Sequence, residues 1–307
     1  MALFLFFLAA MTPSRKPTPL LSTLCLAAAL LASAAAPAAP AYARFPAVPG
    51  ARLTPPDATV ADYRRLQRRT GTGRVVFVTP STYGTDNRPM RAALADFGGA
   101  ARGVAVIGPD IDDAELQALH AGGVRGVRLN LSLGTTGSVA QLDTLAARIA
   151  PLGWHLQLLA PPDVLADLAP RLSLLPVDVV FDHFGRIAPS LAYRHPAHRL
   201  VLRLLDAGRA WVKLSGAYIV SEAGPPDYGD VGSLARDYLV AAPERTVWGS
   251  DWPHASATAG HQVLPDDARL MALLAEWTAD AAGLRRVLVD NPAVLYGFES
   301  TSLEERA

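Results

Sequence analysis

Cysteine is almost absent from this 307-residue chain: its single copy, Cys25, lies in an apolar amino-terminal stretch. A chain processed after residue 43 therefore has no thiol, which excludes disulfides, cysteine nucleophiles and cysteine-ligated metal. Lysine is nearly missing as well. Lys16 and Lys213 stand against 26 arginines, a bias we read as compositional. The formal net charge is zero and no basic run exists, so nucleic acid and anionic membrane are poor partners. No Gly-rich phosphate loop follows a candidate strand; Gly71 and Gly73 precede one and read as a turn. No His-x-His pair occurs, and the first histidine is His120.

Apolar residues make up 50% of the chain and charged ones 18%, enough apolar surface for a large core. Residues 1–43 read as a leader. Met11-Thr-Pro-Ser-Arg-Lys resembles a basic n-region, Leu20–Ala36 is apolar, and Ala41-Tyr42-Ala43 fits the small-x-small cleavage rule. Cleavage before Arg44 leaves 26 basic against 28 acidic residues and a periplasmic or secreted protein without stable membrane association. The alternatives are an uncleaved anchor, or a cytoplasmic protein if the leader is not translated.

Beyond residue 73 one pattern recurs: a β-branched run, a polar turn, an Ala/Leu-rich amphipathic stretch. The predicted strands are Arg74–Thr79, Gly103–Ile107, Gly126–Leu131, His155–Ala160, Val179–His183, Trp211–Ser215 and Thr246–Asp251. Helical stretches are predicted at Met90–Phe97, Asp113–Ala121, Val139–Pro151, Pro162–Ser173, His195–Ala207, Ser233–Ala241 and Asp266–Leu288, with another over Thr59–Arg69. Strands alternating with helices imply a parallel sheet, and continuous apolar strands imply that both its faces are covered. Residues 44–307 supply 264 residues, where an eight-stranded (β/α) barrel needs about 250. Only seven strands are counted. The first strand of such a barrel is missing or degenerate, because residues 44–57 carry four prolines.

Barrel sites collect at the carboxyl ends of strands. Asp251, in Val247-Trp-Gly-Ser-Asp-Trp-Pro-His254, ends the last strand and is read as a general base; His254 could orient it or touch ligand. His183, in Val179-Val-Phe-Asp-His-Phe-Gly-Arg186, ends another strand, while Asp182 is expected to face the helix layer by alternation. Arg128 and Asn130 alternate on one strand and could both point inward. The guanidinium of Arg128 needs an anion, either a bound carboxylate or lactone or an internal acid such as Asp251. Lys213 is a second inward cation, open to an anion or to pairing with a carboxylate. The loop after the first predicted strand, Pro80–Asn87, reads either as a polar ligand contact or as an ordinary loop. His120, His195, His198 and His261 are expected to be solvated.

Together Pro80–Asn87, Ala101–Ala105, Gly123–Asn130, Val179–Arg186, Trp211–Tyr218, Val247–His254 and Val289–Tyr296 resemble the amidohydrolase-related, metal-dependent hydrolase TIM barrels. The 2-pyrone-4,6-dicarboxylate lactonase and sugar-lactonase branch is the one they resemble most. The resemblance spans about residues 45–298. It implies hydrolysis of a lactone or another activated carbonyl: Asp251 as the base toward water, His183 at the carbonyl oxygen, Arg128 on a substrate carboxylate, and Ser81, Tyr83 and Arg186 lining the pocket. It also implies a divalent metal such as zinc on a His-x-His first strand and a histidine ending the strand at Leu156–Leu159. This chain offers neither, so no metal is expected. Isomerisation of a sugar lactone uses the same base. A catalytically impaired barrel that binds a small anionic metabolite is the other reading. Extra arginines that the dicarboxylate lactonases resemble one another in are replaced here by Ser132-Leu-Gly134 and Ala217-Tyr-Ile219, which speaks against a dicarboxylate.

Overall fold

Seven apolar runs become seven strands: β1 Val75–Val78, β2 Ala101–Ala105, β3 Val124–Asn130, β4 His155–Leu159, β5 Val179–Phe181, β6 Ala210–Ser215 and β7 Thr246–Gly249. The computed structural model describes residues 45–53, 55–132 and 137–299. The predicted leader, residues 1–43, lies outside them. Each strand pairs with the next in parallel, in the order β1-β2-β3-β4-β5-β6-β7, and the sheet curls as a half-barrel. Helices between the strands cover its outer face, as right-handed βα crossovers require. Among the described residues, the outer edges of β1 and β7 carry no partner strand. No helix among them is long and apolar enough to cross a membrane.

Strand parity decides what fills the interior. Val179 and Phe181 point outward into the main core, whereas Val180 packs inward with Trp211 and Val247 against Leu295. Val104, Val76 and Val78 form a second inward cluster on Tyr296 and Phe298. Apolar residues from the carboxyl-terminal segment therefore plug the interior, and the polar inward residues gather nearer the carboxyl ends of the strands.

The segment 45–53 forms no strand, as its prolines lead one to expect. Its Val48 amide donates to Thr82 O at 2.9 Å, and Thr82 Oγ1 donates to Leu53 O at 2.9 Å, which lays it along the loop after β1. The helix Val60–Thr70 follows, opened by a Thr59/Asp62 capping box and closed at Gly71 with φ +70°. Its Tyr63 ring lies 5.8 Å from Phe77 of β1 and 5.4 Å from Trp252 beyond β7, so one aromatic side chain touches both ends of the sheet.

Two helix expectations and one histidine expectation change. Pro170 splits Pro162–Ser173 into Pro162–Asp167 and Ala169–Leu172, because a mid-helix proline has no N–H to give. The stretch Asp266–Leu288 breaks near Ala279, at φ +64°, and Asp280 caps the next turn by accepting from the Gly283 amide at 2.7 Å. His198 is not solvated. It is buried on the inner side of the helix Pro196–Asp206, its ring 5.7 Å from Tyr238, with Nδ1 accepting from the Tyr193 amide.

Candidate active site

Strand β5 stops at Phe181, one residue before the acid. Asp182 is still extended, with φ −76° and ψ 147°, so it keeps the inward parity of Val180. His183 then turns to φ +48°, which points its ring inward as well. The expectation that Asp182 faces the helix layer is thus incorrect: alternation holds only while the backbone stays extended. Asp182 is 2% exposed and sits at the centre of a charged cluster. Lys213 Nζ lies 2.8 Å from one carboxylate oxygen; Gln157 Nε2 donates to the other at 2.8 Å, and Arg128 Nε stands 4.0 Å from it. Parallel register brings these together, since Arg128 pairs with Gln157 across β3 and β4 and Phe181 with Val212 across β5 and β6. Burial alone would raise the Asp182 carboxyl, but His183, Lys213 and Arg128 overcome it and hold the group well below the usual carboxylate range.

His183 connects this cluster to Asp251. Its Nε2 is 3.7 Å from Asp182 Oδ2 and 3.6 Å from Asp251 Oδ1, while Nδ1 lies 2.9 Å from Ser215 Oγ. Nε2 therefore faces two acceptors. A proton on Nε2 faces both carboxylates, and in that tautomer the Ser215 hydroxyl donates to Nδ1. Close approach here needs a missing side chain: a Cβ at Gly216, itself at φ +63°, would sit 2.8 Å from His183 Nδ1.

Asp251 follows the end of β7 at φ +62°. Its Oδ2 accepts from the Tyr218 hydroxyl at 2.7 Å, and its backbone carbonyl accepts from the His254 amide at 2.7 Å. Burial, with the adjacent Asp251 charge, drives the Tyr218 phenol far above its ordinary range, so Tyr218 is a neutral donor. Arg186, also at positive φ, is half-buried; burial lowers its pKa while Asp182 and Asp251 oppose the shift.

The other expected residues divide into two places. Ser81 and Tyr83 stand on the turn after β1, and Asn130 Nδ2 donates to Ser81 Oγ at 2.8 Å, tying β3 to that turn. His254 lies behind Asp251. Its Nε2 is 3.0 Å from Asp267 and its ring meets Tyr218 edge-on at 5.4 Å. Sequence reasoning missed Asp182, Gln157, Ser215 and Tyr218. Gln157, a lone amide in the apolar run Leu156–Leu159, was the signal available for the first two.

A divalent ion does not fit this donor set. The Asp182 carboxylate is already committed to an ammonium and an amide, His183 Nδ1 to a hydroxyl, and the Arg128 guanidinium stands in the same space. Among the described residues, no group of three His, Cys, Asp or Glu side chains is arranged to hold a metal ion.

The sequence profile described as amidohydrolase matches residues 23–298. The chain belongs to the amidohydrolase family. The amidohydrolase is 36% identical over 262 residues to a 2-pyrone-4,6-dicarboxylate hydrolase of Comamonas testosteroni, covering 82% of this chain and 85% of that one. It is 34% identical over 256 residues to a D-galactarolactone isomerase of Agrobacterium fabrum, covering 82% and 86%. A ligand-free crystal structure from Agrobacterium tumefaciens superimposes with a TM-score of 0.77 at 33% identity, covering 84% of this amidohydrolase and 92% of that chain. A probable 2-pyrone-4,6-dicarboxylic acid hydrolase of Acinetobacter baumannii, solved with citric acid bound, gives 0.71 at 28% identity, covering 83% and 95%.

Proposed function

We propose that this amidohydrolase hydrolyses a lactone or a related carboxylic ester, with Asp251 as the base toward water. The observation that carries the reading is the pairing of Asp251 Oδ1 with His183 Nε2 at 3.6 Å, beyond the carboxyl ends of two strands. In this reaction Asp251 takes a proton from water as the oxygen attacks the carbonyl carbon. The carbonyl electron pair moves to oxygen, where His183 Nε2–H and the Arg186 guanidinium meet the developing charge. Collapse restores the carbonyl, breaks the ring C–O bond, and returns the proton from Asp251 to the departing alkoxide. Arg128 would face a substrate carboxylate. The relatives that act on lactones support this substrate class. Turnover across a panel of lactones tests it. Asp251→Asn is expected to lower kcat about 100- to 10,000-fold with the fold retained; unchanged turnover in that variant would remove the mechanism.

The likeness to a galactarolactone isomerase favours a second reading. There, the same base deprotonates a hydroxyl of the substrate instead of water. Product analysis separates the two, since only hydrolysis yields the open-chain acid.

The fold reading extends likewise. We propose that the sheet is an eight-position (β/α) barrel whose first strand is missing or degenerate, its position lying between β7 and β1. The helix Val60–Thr70, which touches both ends of the sheet through Tyr63, supports this. Export of the mature chain is proposed from the leader alone, and amino-terminal sequencing of a secreted product that begins elsewhere than Arg44 would refute it.

A further inference from the structure

Asp251 has two carboxylate oxygens with unlike surroundings. Oδ2 receives the Tyr218 hydroxyl at 2.7 Å, and Oδ1 stands 3.6 Å from His183 Nε2. Tyr218 is 7% exposed and is itself held in place. It is the second residue of the short helix Ala217–Val220 that follows Gly216, and the His254 ring packs edge-on to it at 5.4 Å. His254 in turn is anchored by Asp267 at 3.0 Å. A carboxylate on a positive-φ turn could otherwise rotate about its terminal torsion, which is broad and roughly two-fold.

We propose that Tyr218 is a positioning residue for the Asp251 base: its hydroxyl holds Oδ2 and leaves Oδ1 as the one basic oxygen turned toward His183 and the attacking water. The proposal rests on the reading of Asp251 as the base. A fixed base oxygen removes an orientational cost from proton transfer, and a donor on the anion also sets the pH at which the base ionises. The charged and titratable groups facing Asp251 are His183 and Arg186 from the turn after β5 and Tyr218 from the turn after β6. Tyr218 itself faces Tyr228, Ser256 and His254. Of these, only Tyr218 donates to Oδ2.

Tyr218→Phe removes the donor and keeps the ring that His254 packs against. Loss of a hydrogen bond to the charged form destabilises the anion, so the Asp251 titration should move to higher pH. The measurement is the 13C carboxyl shift of Asp251 against pH in the full-length, substrate-free protein, assigned by its disappearance in Asp251→Asn. The same shift should appear in the acid limb of the lactone rate profile, with kcat down about tenfold and KM within about twofold. A tyrosine that served only packing would lower the thermal midpoint and leave the titration in place. An unmoved Asp251 titration in folded Tyr218→Phe overturns the proposal. Tyr218→Met provides a second hydroxyl-free variant, and loss of fold in both would also overturn it, since the residue would then be part of the core. If the native protein turns over no lactone, the hydrolase reading fails, while the carboxyl titration still decides what Tyr218 does.

Discussion

The ammonium of Lys213 lies 2.8 Å from the carboxylate of Asp182, with side-chain exposures of 13% and 3%. The only lysine in the chain besides Lys16 thus neutralises the most enclosed acid of the site. Around it Gln157 donates to the other carboxylate oxygen at 2.8 Å, and the Arg128 guanidinium adds its charge at 4.0 Å.

Lys213→Met should therefore be strongly destabilising. It strands a buried carboxylate, an event that costs about 3–5 kcal/mol. Chemical denaturation at neutral pH reads the loss. Lys213→Met combined with Asp182→Leu should cost much less than Lys213→Met alone, because no uncompensated charge remains. A double variant as unstable as the single one would show that the cluster is not held by this pair.

His155 predicts how stability depends on pH. It opens β4 inside the sheet, 3% exposed, with no hydrogen-bond partner on either ring nitrogen and Tyr296 edge-on at 5.4 Å. Burial, then the charge of Lys213, lowers it from 6.5 to about 3. The folded state keeps it neutral while the unfolded chain protonates it below about 6.5. Its contribution is complete above pH 6.5 and is lost as pH falls toward 3, with a slope of up to about 1.4 kcal/mol per pH unit. Asp182, whose carboxyl is also lowered, adds to the loss at the acid end. His155→Phe should flatten the stability curve between pH 6 and 4, measured by urea midpoints at each pH.

Much of the fold is legible in the sequence. Each of the seven strands is a mainly apolar run bounded by polar turns, and each forms within about two residues of its predicted place. The site is legible where it follows strand parity, as with Arg128, Asn130 and Lys213. It fails where the backbone leaves the strand. Asp182 and His183 share the interior because His183 turns to positive φ, and Tyr218 reaches Asp251 from a helical turn set by Gly216. Periodicity carries no information about either. His254 shows another limit: its neighbour Asp267 lies 13 residues on, across a loop, and nothing in the segment Val247–His254 points to it.

Tyr63→Ala should loosen both ends of the sheet at once. The ring contacts Phe77, Phe97 and Trp252, and truncating such an aromatic costs about 2 kcal/mol. Hydrogen exchange should quicken in both β1 and β7, strands that do not pair with one another. Quickening confined to β1 would show that the helix Val60–Thr70 does not serve the β7 end.

That aromatic contact also bears on the spacing between the two ends of the sheet. Ser81 and Asn130 stand near the β1 end of the sheet, and Asp251 follows β7 at the other. In a closed ring of strands the spacing between them would be fixed by a ladder of backbone hydrogen bonds of invariant length. Here, among the described residues, no such ladder joins β7 to β1, and the gauge is a side-chain ring. The spacing of the two sheet ends therefore depends on residue 63, outside every segment that the proposed chemistry uses, and a smaller ring there is expected to move those ends relative to one another without altering a single proposed catalytic group.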